Sequence, residues 1–219
     1  MSRPLLITDC DEVLLHMLSH FRDWLDEAHA IDFWPENGEF LNAMKRREGG
    51  AVLGADEMWP LLDSFFATEM HRQTIAPHAR EALAEISEVA DIVVLTNLGQ
   101  HCHAGRVAQL EALGIRHRVM CNQGGKGVPV GRLLAEYQPS VAVFVDDLPV
   151  HHDSVAEHAP EVWRLHMVAE PLVKLRPAPA AHARIDDWAT AKQWVFERFR
   201  DGPAPAALTP APVNAKDSA

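Results

Sequence analysis

The stretch PLLITDCDEVLLH, Pro4 to His16, decides the fold of this 219-residue chain. The apolar run Leu5 to Thr8 leads directly into two aspartates, Asp9 and Asp11, after which the chain turns apolar again. A short run that is apolar on both alternating faces is typical of a buried parallel strand. Two carboxylates so close together repel each other unless a cation holds them. The stretch therefore predicts a buried strand that delivers two acids to a functional site.

The composition is that of a soluble globular protein, with 47% hydrophobic and 23% charged residues. Twenty basic residues stand against 31 acidic ones, which gives a formal net charge of −11. Nucleic acids and anionic membranes attract basic surfaces, so this balance argues against both as partners. A small phosphorylated molecule needs only a locally positive pocket and stays possible.

The cysteines and the N-terminal sequence bear on location. Cys10, Cys102 and Cys121 are odd in number and widely separated, which fits a reducing compartment better than a disulfide framework. The strand-like LLIT begins after four residues, so we expect no signal peptide. No apolar run approaches the length of a membrane span. These features predict a cytoplasmic protein.

Short apolar runs alternate with helical patterns along most of the chain. The predicted strands are Leu5–Thr8, Ile92–Thr96, Arg118–Cys121, Val141–Val145 and Val162–His166. A helical pattern follows from His103 to Ile115, where apolar residues recur at helical spacing and Gly114 marks a stop. Strands that alternate with helices predict an α/β fold, a Rossmann-like parallel sheet with helices on both faces.

One segment interrupts the alternation. From about His16 to Ile75 the patterns are helical, with no convincing strand, and one predicted helix is GEFLNAMKRRE, residues 38–48. The segment has its own apolar content, including several tryptophans and phenylalanines. We therefore predict a core of residues 1–15 and 76–200 and an all-helical cap of residues 16–75. The Pro/Ala-rich residues 201–219 are expected to be a disordered tail.

Seven polar side chains stand at the predicted carboxyl ends of the strands or between them, at the edge of an open α/β sheet where ligands bind. They are Asp9, Asp11, Thr96, Asn97, Lys126, Asp146 and Asp147. Each of them alone could be a turn residue or a helix cap. Together they describe one charge-balanced pocket, in which converging carboxylates require a divalent cation, most naturally Mg²⁺. Lys126 and Thr96 would then face a further anion, most simply a phosphoryl group.

At this point the chain resembles the haloacid dehalogenase (HAD) superfamily. LLITDCDEV is similar to its first motif, an apolar strand followed by Asp-x-Asp-x-Val/Thr, and IVVLTN to its second. Lys126 in GGKG stands where the lysine of the third motif would, and VAVFVDDLP is similar to the acidic fourth motif. All four occur in order between Leu5 and Asp147, and the insert falls where the family places a C1-type cap.

The resemblance implies a Mg²⁺-dependent phosphatase that acts on a small-molecule phosphate ester. Asp9 would be the nucleophile that forms an aspartyl phosphate, and Asp11 the general acid and then the general base. Thr96, Asn97 and Lys126 would bind the substrate. The metal ligands would be Asp9, the backbone carbonyl of Asp11, Asp146 and Asp147.

Two other functions are compatible with the same residues. A 2-haloacid dehalogenase would use Asp9 as nucleophile, but a halide leaving group needs no acid, so Asp11 favours phosphoryl chemistry. A catalytically degenerate phosphate-binding or regulatory module is the second alternative. The reason for this alternative is Glu12, which replaces the Gly often found after the second Asp of the motif. Because Glu tolerates fewer backbone conformations than Gly, the shape of the next turn is in question.

Overall fold

The computed structural model describes residues 2–35, 40 and 42–204. Within these ranges the strands are β1 Leu5–Thr8, β2 Leu15–His16, β3 Ile31–Phe33, β4 Met44–Arg46, β5 Thr74–Ile75, β6 Asp91–Thr96, β7 Arg118–Cys121, β8 Ala142–Asp146, β9 Trp163–His166 and β10 Ala183–Arg184. The α-helices are α1 Leu18–His29, α2 Ala55–Thr68, α3 Ala79–Ser87, α4 His103–Ala112, α5 Gly127–Tyr137, α6 Pro149–His158 and α7 Trp188–Asp201.

Strand β1 lies in the middle of a parallel sheet that has six strands among the described residues, in the order β10-β9-β8-β1-β6-β7. Its side chains alternate between two apolar layers. Leu6 packs on one face with residues of α3, α4 and α7, and Ile7 packs on the other with residues of α5 and α6. This is the α/β architecture with a Rossmann-like core that the sequence predicts, and the fold class is confirmed.

The insert is not purely helical, so that part of the prediction is wrong. It contains α1 and α2, but β3 and β4 form an antiparallel hairpin, and β2 pairs with β5. The predicted helix over residues 38–48 is replaced by β4 at its C-terminal part, while residues 36–39 and 41 lie outside the described residues. Met44 is buried opposite Phe33, whereas Lys45 and Arg46 are exposed. Pairing with β3 therefore outweighs the local helical preference.

The insert has a separate apolar cluster. Phe21 of α1 lies at its centre, with ring centroids 5.4 Å from Phe33 and 5.2 Å from Phe65, both in edge-on contact. Val168 and Val173, from the segment after β9, pack into the same cluster. The insert is thus joined to the rest of the chain by apolar contacts as well as by its connecting segments.

The predicted disordered tail of residues 201–219 begins too early. Helix α7 continues to Asp201, and the buried Ala204 donates its N–H to the carbonyl oxygen of Glu161, so residues 201–204 are not disordered. Residues 205–219 lie outside the described residues. Among the helices that the structure describes, none has the length and apolar content needed to cross a membrane.

Candidate active site

The predicted site residues follow three neighbouring strands. Asp9 comes directly after β1, Thr96 is the last residue of β6, and Asp146 is the last residue of β8. Because β8, β1 and β6 are adjacent and parallel, their carboxyl ends meet at one edge of the sheet. Asp9 extends the pairing of β1 with β8 by one residue, since its N–H donates to the carbonyl oxygen of Val145. The sheet therefore brings together acids that are far apart in the sequence.

Lys126 reaches this edge from the residue before α5. Its Nζ lies 2.7 Å from Oδ1 of Asp9 and 2.7 Å from Oδ2 of Asp146, and its side chain is buried. The position of Lys126 depends on the close packing of α5 against α6 at Gly127, where a Cβ would lie 2.1 Å from the backbone oxygen of Ser154 on α6. Burial lowers the pKa of Lys126, but the two carboxylates outweigh it and raise this pKa above its ordinary value. The lysine is therefore a permanent cation.

Three carboxylates converge beside this one ammonium group. Oxygen atoms of Asp9, Asp146 and Asp147 lie within 4.8 Å of one another, and all three residues are buried. Burial and the charge of Asp146 raise the pKa of Asp147 well above its ordinary value, and burial raises that of Asp9 as well. One lysine does not balance three acids. Hard oxygen donors with excess negative charge are the ligand set that Mg²⁺ prefers, so these residues fit such an ion.

Asp11 lines the same cavity, but its carboxylate contacts different partners. Nη2 of Arg106 donates to both of its oxygens, at 2.8 and 2.9 Å, and Nε2 of Gln73 donates to Oδ1 at 2.6 Å. Arg106 is fully buried on α4, with its guanidinium carbon 5.6 Å from the ring centroid of Phe66. Together, Arg106 and Gln73 fix the orientation of the Asp11 carboxyl group.

Sequence reasoning missed Arg106 and Gln73. A signal for Arg106 exists, because it lies four residues from both Cys102 and Leu110, on the buried stripe of α4. A charged residue on an apolar helix stripe indicates a buried ion pair. Gln73 carries no comparable signal, since only the path of the chain from the insert back to the core brings it to Asp11.

Thr96 and Asn97 complete the side of the site next to β6. Thr96 is buried, and its Oγ1 has no hydrogen-bond partner among the described residues, so the hydroxyl is free to bind a ligand. Nδ2 of Asn97 donates to the carbonyl oxygen of Gly124 at 3.0 Å, and its Oδ1 accepts from Nδ2 of Asn122 at 2.9 Å. Asn97 thereby holds the loop before Lys126 in place.

Glu12 resolves the question of the turn after Asp11. Its φ is +62°, in the left-handed region that favours Gly. Its Oε1 accepts N–H groups of Met17 and Leu18 at the start of α1, at 3.1 and 2.7 Å. These bonds offset the backbone strain, which is about 1–2 kcal/mol for a non-glycine residue. Burial, together with the nearby charge of Glu170, raises the pKa of Glu12.

Two buried histidines support the backbone of the acidic pair. Nε2 of His152 donates to the carbonyl oxygen of Asp146 at 3.0 Å, and Nε2 of His166 donates to that of Asp147 at 2.7 Å. Burial lowers the pKa of both rings, that of His152 to about 3. Neither histidine is among the seven polar residues that the sequence places at the site.

The acids open into a cavity of about 410 Å³ between the sheet edge and the insert. We call its polar base the floor, formed by Asp9, Asp11, Asn97 and Asp147, with Thr96, Lys126 and Asp146 buried next to them. We call its apolar side the wall. The wall residues are Met17, Leu18, Phe40, Trp59, Leu62, Phe66, Leu148, Val173 and Leu175.

Comparison with known proteins identifies the fold. No protein-family model and no curated protein matches this chain. Solved structures do match over most of its length. A predicted phosphoglycolate phosphatase from Haemophilus somnus has a TM-score of 0.62 at 16% identity, covering 87% of this chain and 97% of its own. A haloacid dehalogenase-like family hydrolase from Streptococcus pneumoniae has a TM-score of 0.60 at 11% identity, covering 87% and 97%.

A third match is a magnesium-bound protein. It is assigned as a HAD-hydrolase from Bacillus subtilis, and has a TM-score of 0.60 at 10% identity, covering 90% of this chain and 100% of its own. At such identities the likeness concerns the fold.

Proposed function

We propose that this chain, which has the haloacid dehalogenase-like fold, is a Mg²⁺-dependent hydrolase that releases phosphate from a small phosphate monoester. The observation that carries the proposal is the position of Lys126, between Asp9 and Asp146 and next to Asp147. A carboxylate attacks a phosphate dianion only if nearby cations offset the repulsion and align the two groups. This arrangement supplies one cation and the ligands for a second.

Asp9, Asp146, Asp147 and the backbone carbonyl of Asp11 are the groups that would hold Mg²⁺. When bound, the ion neutralises the charge of the phosphate and of the acids around it. Lys126 binds a phosphoryl oxygen by charge, and Thr96 donates its otherwise unpaired hydroxyl to another. The substrate-binding role of Asn97 is indirect, since it positions the loop that carries Lys126.

The reaction would proceed in two steps on Asp9. In the first, a carboxylate oxygen of Asp9 attacks phosphorus, the bond from phosphorus to the leaving oxygen breaks, and Asp11 gives its proton to that oxygen. In the second, water attacks the phosphorus of the aspartyl phosphate, Asp11 accepts the proton of the water, and inorganic phosphate leaves. Asp9 is then regenerated as a carboxylate.

The test is phosphate release from 4-nitrophenyl phosphate by the purified protein. We expect release with Mg²⁺, none with EDTA, and a loss of roughly a thousandfold or more in Asp9→Asn. Asp153→Asn is the matched control, because it makes the same chemical change at an exposed residue of α6 and should keep wild-type activity.

The alternatives give different results. Equal phosphate release by wild type and Asp9→Asn across a broad panel of phosphate esters would refute the assignment. Halide release from a 2-haloacid in the presence of EDTA would favour the dehalogenase. Phosphate binding without turnover would indicate a degenerate binding module.

A further inference from the structure

The charges around the cavity are unevenly distributed. Its lining contains four acidic residues and His151 but, among the residues that the structure describes, no lysine or arginine. The two cations next to its acidic base are already engaged, Lys126 by Asp9 and Asp146, and Arg106 by Asp11. Residues 36–39 and 41, which flank Phe40, contain no basic residue in the sequence. An anionic group that packs against the described lining beyond the phosphate would therefore contact no lysine or arginine of that lining.

The wall is apolar and partly aromatic. Phe40, Trp59 and Phe66 line it, together with aliphatic side chains. Such a surface binds aromatic and aliphatic groups by burial and ring contacts, and it discriminates strongly against an unpaired charge. The volume of about 410 Å³ is within the usual range for small-molecule sites, with room for more than a phosphate group.

Two exposed tryptophans of the insert differ in whether they line the cavity. Trp59 is 55% exposed and lines the cavity, so its ring is available to a ligand. Trp34 is 63% exposed but does not line the cavity, and the guanidinium of Arg22 lies 5.5 Å from its ring centroid. The two residues share type and exposure but differ in access to the cavity, which makes Trp34 a control for Trp59.

We propose that the leaving group of the substrate is an uncharged apolar ring that packs against Trp59 and Phe66, and that esters carrying a second anion are poor substrates. This inference rests on the proposed phosphatase function and adds the chemical class of the ester. Asp9 and Lys126 define where the phosphoryl group lies, and the wall above them defines what the other end of the ester is.

The first experiment compares 4-methylphenyl phosphate with 4-carboxyphenyl phosphate. The carboxylate makes the phenol a better leaving group, so chemistry alone would favour the second ester. We expect instead that kcat/KM is lower for the carboxylated ester by roughly 30-fold or more, because its charge would be buried unpaired. Equal values, or a preference for the carboxylated ester, would overturn the inference.

Substitutions at Trp59 locate the effect. Trp59→Ala should lower kcat/KM for the methyl ester by about tenfold through the loss of ring contact. Trp59→Lys should in addition raise the ratio of the carboxylated to the methyl ester by about tenfold, since it places a cation on the wall. Trp34→Ala and Trp34→Lys should leave both substrates unchanged. Equal effects at Trp34 and Trp59 would refute the contact with Trp59.

The two proposals fail in distinguishable ways. If wild type releases phosphate from 4-nitrophenyl phosphate but prefers anionic esters, the inference on substrate class is wrong and the phosphatase function stands. If none of the esters is hydrolysed with Mg²⁺ present, both are wrong.

Discussion

The floor and the wall of the cavity differ in the polarity of their side chains. The floor carries buried charges, and Lys126 lies within 2.7 Å of two carboxylates there. The wall carries apolar side chains, and part of it, such as Trp59, stays exposed. A change in the floor leaves a buried charge without its partner, whereas a change at the exposed Trp59 of the wall alters a contact surface. We therefore expect the floor to determine chemistry and stability together, and Trp59 to affect selectivity with little effect on stability.

The largest effect is expected for Lys126→Met, which removes the central cation of the floor. The carboxylates of Asp9 and Asp146 would stay buried without it, so the free energy of unfolding should fall by about 3–5 kcal/mol. Phosphate release should fall by roughly a hundredfold or more. Urea unfolding and a phosphate assay measure the two effects. Lys192→Met is the control, because it removes a surface ion pair with Glu85 that is expected to contribute about 1 kcal/mol or less. Similar losses of stability in both variants would break the contrast.

An intermediate effect is expected where the floor meets α4. Arg106→Lys keeps the charge next to Asp11 but removes the guanidinium, whose Nη2 contacts Asp11 while its Nη1 donates to Gln73, so Asp11 should lose its fixed orientation. We expect kcat to fall by about 10- to 100-fold while KM changes little, because a misplaced acid affects the chemical step more than binding. Steady-state kinetics measure this, with Arg80→Lys at an exposed ion pair as the control. A rise in KM at constant kcat would assign Arg106 to substrate binding instead.

A smaller, pH-dependent effect is expected from a histidine outside both the floor and the wall. His182 lies next to β9, and its Nδ1 accepts the backbone N–H of Arg164 at 3.0 Å. Burial lowers the pKa of His182 to about 4 from an ordinary 6.5. Between these values the unfolded chain binds a proton that the folded chain does not, so acid favours unfolding. Because His182 is only partly buried and solvent screens the shift, we expect this one group to lower stability at pH 5 by about 1 kcal/mol relative to neutral pH.

The measurement is urea unfolding at pH 7 and pH 5. His182→Gln should unfold with a smaller difference between the two pH values than the wild type, whereas His71→Gln, at an exposed histidine, should not. Equal pH dependence in all three proteins would show that His182 does not titrate in this window. Wall variants such as Trp59→Ala should keep the wild-type dependence, since they remove no titratable group.

Much of the floor could be predicted from the sequence, because its residues stand at the ends of predicted strands. Asp9, Thr96 and Asp146 each follow a buried apolar run, and parallel strands necessarily bring such residues to one edge. Lys126 lies in a loop, and its place depends on the close packing of α5 on α6 at Gly127. Lys126 could be predicted as a site residue because GGKG resembles a known motif, whereas hydrophobic periodicity alone would not have identified it.

The insert was less accessible to sequence reasoning. Met44 belongs to a stretch with a helical pattern, yet it lies in a strand because Phe33 offers a partner strand and a buried site. Glu12 departs from the expected Gly, and only the structure reveals that its carboxylate caps α1 while its backbone is left-handed. Strand pairing and capping across a turn are long-range choices that local preference does not determine.

The sequence by itself determined the α/β core and the order of the acids, because buried strands and the residues at their ends follow from apolar patterns within a few positions. The tertiary structure alone decided that Arg106 and Gln73 hold Asp11, and that Trp59 lines the cavity while Trp34 does not. The physical reason is distance along the chain. Contacts between segments 60 to 100 residues apart depend on how whole helices and strands pack. Residue spacing and composition do not predict that packing.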